Sequence, residues 1–371
     1  MNFDFSQEQQ ELRATARRFL SENSSSKAVR AVLEGPSKYD ARLWEGLAEL
    51  GLLGVAIPET YGGTGAGALE LCVVAEELGR ALAPVPYSSC VYLAAETLKL
   101  SGDEVQMKRW LPKIASGEAI GTLAWVEGPG EPAPAAIRSV VRGGKLRGVK
   151  TATPDGEIAD FAIVAARAGD DDVGLYVVDL AGPGVSRAGV ESIDPTRNHA
   201  EIRFDDAAAE PLGASGEGWA TLTRALDRAA ALMAFEQVGG ADRALEMARD
   251  YALDRMAFGR PIGSFQAIKH KLADMYVANT LARSNAYYAA WALAASEGDL
   301  PEAAANARVS ATEAYRLSAR ESLQTHGGIG FTWEHDCHLH YRRANLLAVA
   351  LGPPRYWENR LIEAMLRRNA A

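Results

Sequence analysis

Two segments of this chain hold residues of the right type and spacing to grip a phosphorylated ligand. In RMAFGRPIGSFQAIKHKLADM (255–275), Gly259 and Pro261 make a tight corner that places Arg255 and Gln266 on either side of it. A guanidinium beside a helix end suits phosphate oxygens, and an aromatic ring such as Phe258 suits an adenine or a ribose. The plainer alternative is a helical corner with a surface arginine. In QTHGGIGFTWEHDCHLHYRR (324–343), Gly327, Gly328 and Gly330 let backbone approach a ligand closely, and the Gln324 amide can reach that ligand. Taken alone, a GG-x-G loop is a weak signal. The same run holds His335, Cys337, His338 and His340. Their spacing matches no zinc pattern and a helix would point them in different directions, so no metal is expected.

A third segment, LLAVALGPPRYWENR (346–360), is a break. Its apolar run stops at Gly352, Pro353 and Pro354 forbid smooth helical continuation, and Arg355 opens a new charged, helix-like stretch. The elements that must position these segments fall into three blocks. Residues 1–118 read as helices, with Ser6 and Gln9 as a capping box and Asp40 capping a helix that carries Leu43, Trp44, Leu47 and Leu50. ENSSSKAVRAVLEGPSKYD reads as a loose connection, and the helix in LELCVVAEELGRALAP is expected to stop at Gly79 and Pro84. Residues 119–212 hold short β-rich runs. Gly143-Gly144 marks a hairpin and AGDDD an acidic turn, so a small antiparallel barrel or sandwich is expected. Residues 213–371 return to long helices and a four-helix bundle. The first of these runs for roughly 40 residues, or about 60 Å, and Gly239-Gly240 could bend it or permit close packing. Ser264 is placed to cap the next helix. The fold class is therefore α+β.

At 371 residues the chain is too long for one simple core. Its 48% hydrophobic and 23% charged content is that of an ordinary globular protein, and a net charge of −9 argues against nucleic acid as a partner. Arg342, Arg343, Arg355, Arg360, Arg367 and Arg368 read as solvated helix faces. Three cysteines without framework spacing point to a reducing cytosol, and no secretion signal or membrane span is expected.

Together, RMAFGRPIGSFQ, QTHGGIGF and the upstream LWEGLAELGLLGVAIPETYGG resemble the acyl-CoA dehydrogenase family over essentially the whole chain. The resemblance implies a three-domain fold with helical, β and helical domains in that order. It also implies FAD, an acyl-CoA thioester substrate in fatty-acid or sterol side-chain breakdown, and an electron-transfer flavoprotein as acceptor. The assembly implied is a tetramer built from dimers. Arg255, Phe258, Gln266, Gln324 and Gly328 match family positions that hold the pyrophosphate and adenosine half of FAD in the neighbouring subunit.

The resemblance fails at the flavin ring and at the base. TLAWVEGPGEPAP has Val126 where the family has a threonine, and lacks the Gly-Ser-Asp that follows. ATPDG has Ala152 for a ring-stacking tryptophan and Pro154 for a threonine. Each loss removes an interaction of about 1 kcal/mol. The usual catalytic glutamate position falls on Leu351, and the position some members use on the long helix falls on Ala229, followed by Ala230. Glu236 lies seven residues beyond Ala229 in an apolar run and is a candidate relocated base, or else a buried glutamate paired with a core arginine. Glu358, past the break, is expected to face solvent. The pattern implies a subunit without the base, contributing to an FAD site at an interface with a second dehydrogenase-like subunit. Two alternatives remain: a self-sufficient homotetramer using Glu236, and a flavin-free acyl-CoA-binding or scaffolding protein.

Overall fold

Ser6 starts the first helix as its spacing predicts. Its hydroxyl accepts from the Gln9 amide while the Gln9 side chain accepts from Ser6 N, which satisfies two donors that the helix start would leave orphaned. The computed structural model describes residues 5–168 and 172–370. Of the expected acidic turn, Gly169, Asp170 and Asp171 lie outside the described residues.

Helices α1 (Gln7–Asn23), α2 (Ser26–Glu34), α3 (Ala41–Glu49), α4 (Ala68–Arg80), α5 (Glu96–Ser101) and α6 (Glu104–Ala115) come first. Strands β1 (Gly121–Ala124), β2 (Val140–Arg142), β3 (Lys145–Pro154), β4 (Phe161–Arg167), β5 (Val173–Asp179), β6 (Val185–Gly189), β7 (His199–Ala208) and β8 (Glu210–Leu212) follow. Then come α7 (Gly218–Asp254), the short strands β9 (Met256–Ala257) and β10 (Arg260–Pro261), α8 (Gln266–Ala295), α9 (Leu300–His326), α10 (Cys337–Val349) and α11 (Pro354–Ala370). The order helical, β, helical is the expected one. Among the described residues no helix is long and apolar enough to cross a membrane. Cys72, Cys90 and Cys337 are all buried.

Several local expectations are corrected. The supposed loose connection contains α2, because Val29 and Val32, one turn apart, are both buried and give it an apolar face. Gly79 does not end α4 but lies inside it. Ser264 does not cap α8. The cap position is Phe265, without a side-chain hydrogen bond, and the Ser264 hydroxyl is buried with no partner.

The chain forms two compact units that interleave along the sequence. One takes Arg30–Gly67 and Pro84–Ala229; the other takes the described residues up to Val29, Ala68–Ala83 and everything from Ala230 onward. In the first unit the strands form one eight-stranded sheet in the order β6-β7-β3-β2-β4-β5-β8, with β1 also on β4. Gly143 and Gly144 make the expected hairpin, both with positive φ (55° and 72°), the backbone that a two-residue turn requires. Most pairings are antiparallel, but β1 and β2 each pair with β4 in parallel, so the sheet is mixed rather than purely antiparallel. The β2–β3 hairpin intervenes between β1 and β4, and such a crossover is what a parallel neighbour requires. Residues Phe161 to Ala166 of β4 are all buried, and Trp110 of α6 stacks on Phe161 with ring centroids 4.0 Å apart.

In the second unit α8, α10 and α11 pack on α9, and α4 packs on α8. Helix α7 continues unbroken through Gly239-Gly240, and the pair permits close packing. A Cβ on Gly239 would lie 1.9 Å from the Glu76 carbonyl oxygen, and one on Gly79 would lie 1.8 Å from that of Glu236. Helices α4 and α7 therefore touch backbone to backbone. Arg283 of α8 ties the same crossing together, bonding Glu76 at 2.7 Å and also Asp242 of α7.

Candidate functional site

The candidate ligand residues read from the sequence gather at one end of the helical unit. Arg255 follows the last residue of α7, Gln266 is the first residue of α8, and Gln324 lies in the last turn of α9. Gly328 lies in the tight turn Gly327–Phe331 that follows α9. Tyr251, one turn before Arg255, lies against His326, two residues after Gln324, with ring centroids 4.3 Å apart and the rings tilted by 31°. Lys271 near the start of α8 pairs with Glu321 of α9. These two contacts bring the ends of α7 and α9 and the start of α8 side by side.

The corner between α7 and α8 is the short hairpin of β9 and β10. Phe258 and Gly259 both have positive φ (52° and 79°), and Ile262 N donates to the Arg255 carbonyl at 2.8 Å. Arg260 lies over the Phe265 ring at 4.1 Å, and Phe265 meets Phe258 edge-on at 6.2 Å. Phe258 is nonetheless 97% exposed. Arg255, Gln266, Gln324 and Gly328 are also exposed, and none of the three polar side chains has a partner among the described residues. A Cβ on Gly328 would meet nothing within 4 Å, which leaves room for a ligand against its backbone. Exposed donors without internal partners are free to bind a phosphate and an amide-reading ligand.

In the sheet unit, the two stretches that depart from the family pattern lie side by side. Thr151 N donates to the Val126 carbonyl at 2.8 Å, joining TLAWVEGPGEPAP to ATPDG. Next to that contact Lys150, fully buried, pairs with Glu127 and donates to the Ala165 carbonyl at 2.6 Å. Burial pulls Lys150 down to about 8 against the upward pull of Glu127. Ala152 sits in an irregularity between β3 and β7 with φ 47°, exposed. A methyl group there offers no ring to stack and Val126 offers no hydroxyl. The hydrogen bond between Thr151 and Val126 aligns the two stretches side by side.

Leu351 lies between α10 and α11 and is completely buried. Gly352 has φ 106°, Gly352 N bonds the Val349 carbonyl at 3.1 Å, and Pro354 begins α11, where its missing N–H costs nothing. The corner is held from α9 by Arg308, 1% exposed, which donates to the carbonyl of Leu347 in the last turn of α10 and to the Gln237 side chain of α7. A guanidinium at a helix C-terminus satisfies an orphan carbonyl and complements the helix dipole. Nothing in the alanine-rich run ANARVSATEAY marks this role, because Arg308 stands in it like a surface residue.

Glu236 is also fully buried, with Arg343 Nη1 3.6 Å from its Oε1. Arg343 is 1% exposed and reaches the Leu82 carbonyl at 3.4 Å. Arg343 is therefore not part of a solvated face: a buried carboxylate on α7 draws it inward. Glu358 is exposed, and Ala229 and Ala230 are buried. Of the four His and Cys residues in 335–340, His338 faces the Trp333 carbonyl at 3.0 Å and His340 faces the Tyr315 hydroxyl at 3.0 Å. His335 and Cys337, by contrast, come together with His326, which the sequence reading did not include.

Residues 6–118 match the family model described as acyl-CoA dehydrogenase, N-terminal domain, and residues 216–366 match acyl-CoA dehydrogenase, C-terminal domain. Acyl-CoA dehydrogenase IpdE2 of Mycobacterium tuberculosis is 36% identical over 94% of this chain and 94% of its own length. Among solved structures, a variant of the Tcur3481-Tcur3483 steroid ACAD is 32% identical with a TM-score of 0.88, covering 98% of this chain and 99% of its own. The ChsE4-ChsE5 complex of M. tuberculosis is 27% identical with a TM-score of 0.89, covering 99% of both chains.

Proposed function

Because the chain belongs to the acyl-CoA dehydrogenase family, we propose that it is the base-less subunit of a hetero-oligomeric acyl-CoA dehydrogenase. It lends one end of a shared FAD site to a second, dehydrogenase-like subunit. The observation that carries this reading is Leu351, an alkyl side chain buried in the corner where a proton acceptor is needed. A leucine cannot take a proton from the substrate Cα, so another chain must supply that group.

The fit of FAD to the residues present is uneven in the same sense. At the helical end, Arg255 would hold the pyrophosphate, Phe258 would lie against the adenosine, Gln266 and Gln324 would donate their amides, and Gly328 would let backbone come close. At the sheet, Val126, Ala152 and Pro154 offer a flavin ring little to hold. When bound, the flavin supplies the hydride acceptor for α,β-dehydrogenation of an acyl-CoA. This chain's part is to hold the nucleotide half in place, and the partner grips the ring and moves the proton. An electron-transfer flavoprotein would be the acceptor for such an enzyme. The Tcur3481-Tcur3483 and ChsE4-ChsE5 structures, each named for two chains, support an assembly of this kind.

Arg255→Met, made in the complex purified through a tag on this chain, tests the assignment. A hydrogen bond to a charged group contributes about 1.5–3 kcal/mol, so FAD affinity falls roughly ten- to hundredfold. The exposed position of Arg255 keeps the fold intact. Flavin affinity equal to that of the unmodified complex would remove Arg255 from the site.

A further inference from the structure

We propose that His326, His335 and Cys337 form a binding site for a thiophilic divalent cation, with zinc the best match. One ligand atom from each of the three lies within 4.8 Å of the other two. Cys337 Sγ is already 3.2 Å from His326 Nδ1, and the two imidazole rings are 4.5 Å apart between centroids. A tetrahedral zinc ion with nitrogen and sulfur ligands sets neighbouring ligand atoms about 3.3–3.8 Å apart. Closing the trio around an ion therefore takes side-chain shifts of about 1 Å, with no rearrangement of the helices.

The donors are held from outside. His326 lies against Tyr251 at 4.3 Å, and its Nδ1, the nitrogen that faces Cys337, is 2.8 Å from the Ser322 carbonyl, a hydrogen bond that a metal at that nitrogen would displace. Cys337 is the first residue of α10. The Cys337 amide reaches His335 Nδ1 at 3.3 Å, a long contact that a metal at that nitrogen would replace. His326 and Cys337 are buried and His335 is half-buried, which leaves one side for an ion to enter and for water to fill the fourth position. Without metal, burial pushes the Cys337 thiol up to about 11, so the sulfur carries its proton. Binding exchanges that S–H bond for an S–metal bond and releases the proton to solvent. Neither the zinc spacings nor the order of these residues along the chain betrays the site, because its first ligand ends α9 and its last begins α10. A bound ion would clasp the two ends of the turn that carries Gly328, and binding does not depend on whether a flavin is held there.

The test uses the full chain, purified, stripped with chelator and kept reduced, titrated with Co²⁺ alone and then with Zn²⁺. The expected result is one equivalent of cobalt bound with a thiolate-to-cobalt charge-transfer band, displaced by zinc. Cys337→Ser loses that band, and His335→Asn, at a half-exposed position that tolerates substitution, binds cobalt more weakly. No stoichiometric cobalt uptake by the unmodified chain overturns the proposal, as does a charge-transfer band that survives Cys337→Ser.

Discussion

Gly239→Ala lowers the stability of the purified chain by about 3 kcal/mol, at the upper end for overpacking, and Gly79→Ala has an effect of the same size. The reason is backbone geometry. The added methyl carbon would lie 1.9 Å from the Glu76 carbonyl oxygen in one case and 1.8 Å from the Glu236 carbonyl oxygen in the other. No side chain can rotate to relieve either overlap, so α4 and α7 must separate along their crossing. Separation also pulls on Arg283, which bonds Glu76 of α4 and Asp242 of α7. The control is Gly259→Ala, where nothing lies within 4 Å and only the positive φ is strained, costing about 1 kcal/mol. Denaturant midpoints of the three variants decide the matter. A Gly239→Ala loss no greater than that of Gly259→Ala would mean that the helices do not touch backbone to backbone.

Glu236→Gln costs about 3–5 kcal/mol, because it leaves the Arg343 guanidinium buried without its carboxylate. Arg343→Met takes the nearest cation from buried Glu236, where Arg308 still acts on it, and costs less than the Glu236 change. The double variant recovers most of the loss, since removing both charges also removes the desolvation each imposes. This is the behaviour of a structural ion pair. A catalytic base would behave differently: Glu236→Gln would keep the stability of the parent and abolish turnover in the assembled enzyme. The double-mutant cycle, read by chemical unfolding, separates the two roles. Additive losses in the double variant would contradict the pairing.

What could be read along the chain was what short stretches decide by themselves. The capping box at Ser6, the Gly143-Gly144 hairpin, the corner at Gly259-Pro261 and the break before Pro354 each depend on local backbone preference, and each is present. What could not be read depends on residues that meet only after folding. Arg343 sits in a run of basic residues and looks like its solvated neighbours until Glu236, far along the chain, pulls it inward. Gly79 looks like a helix stop, because glycine disfavours helices, yet it is there for the approach of α7. The same holds at the site. The candidate ligand residues could be picked out because they follow a motif, whereas the Arg308 cap on the Leu347 carbonyl and the convergence of His326 with His335 and Cys337 follow only from how α9 and α10 lie together.

The central claim is that this chain completes a flavin site only with a second subunit, and flavin content tests it most directly. The chain is to be purified alone after expression with ample riboflavin, its bound flavin measured per chain, and an acyl-CoA added to look for bleaching. The account predicts flavin far below one per chain and no bleaching, because Leu351 supplies no base and Val126 and Ala152 leave the ring unheld. One flavin per chain, reduced on addition of an acyl-CoA, would contradict it.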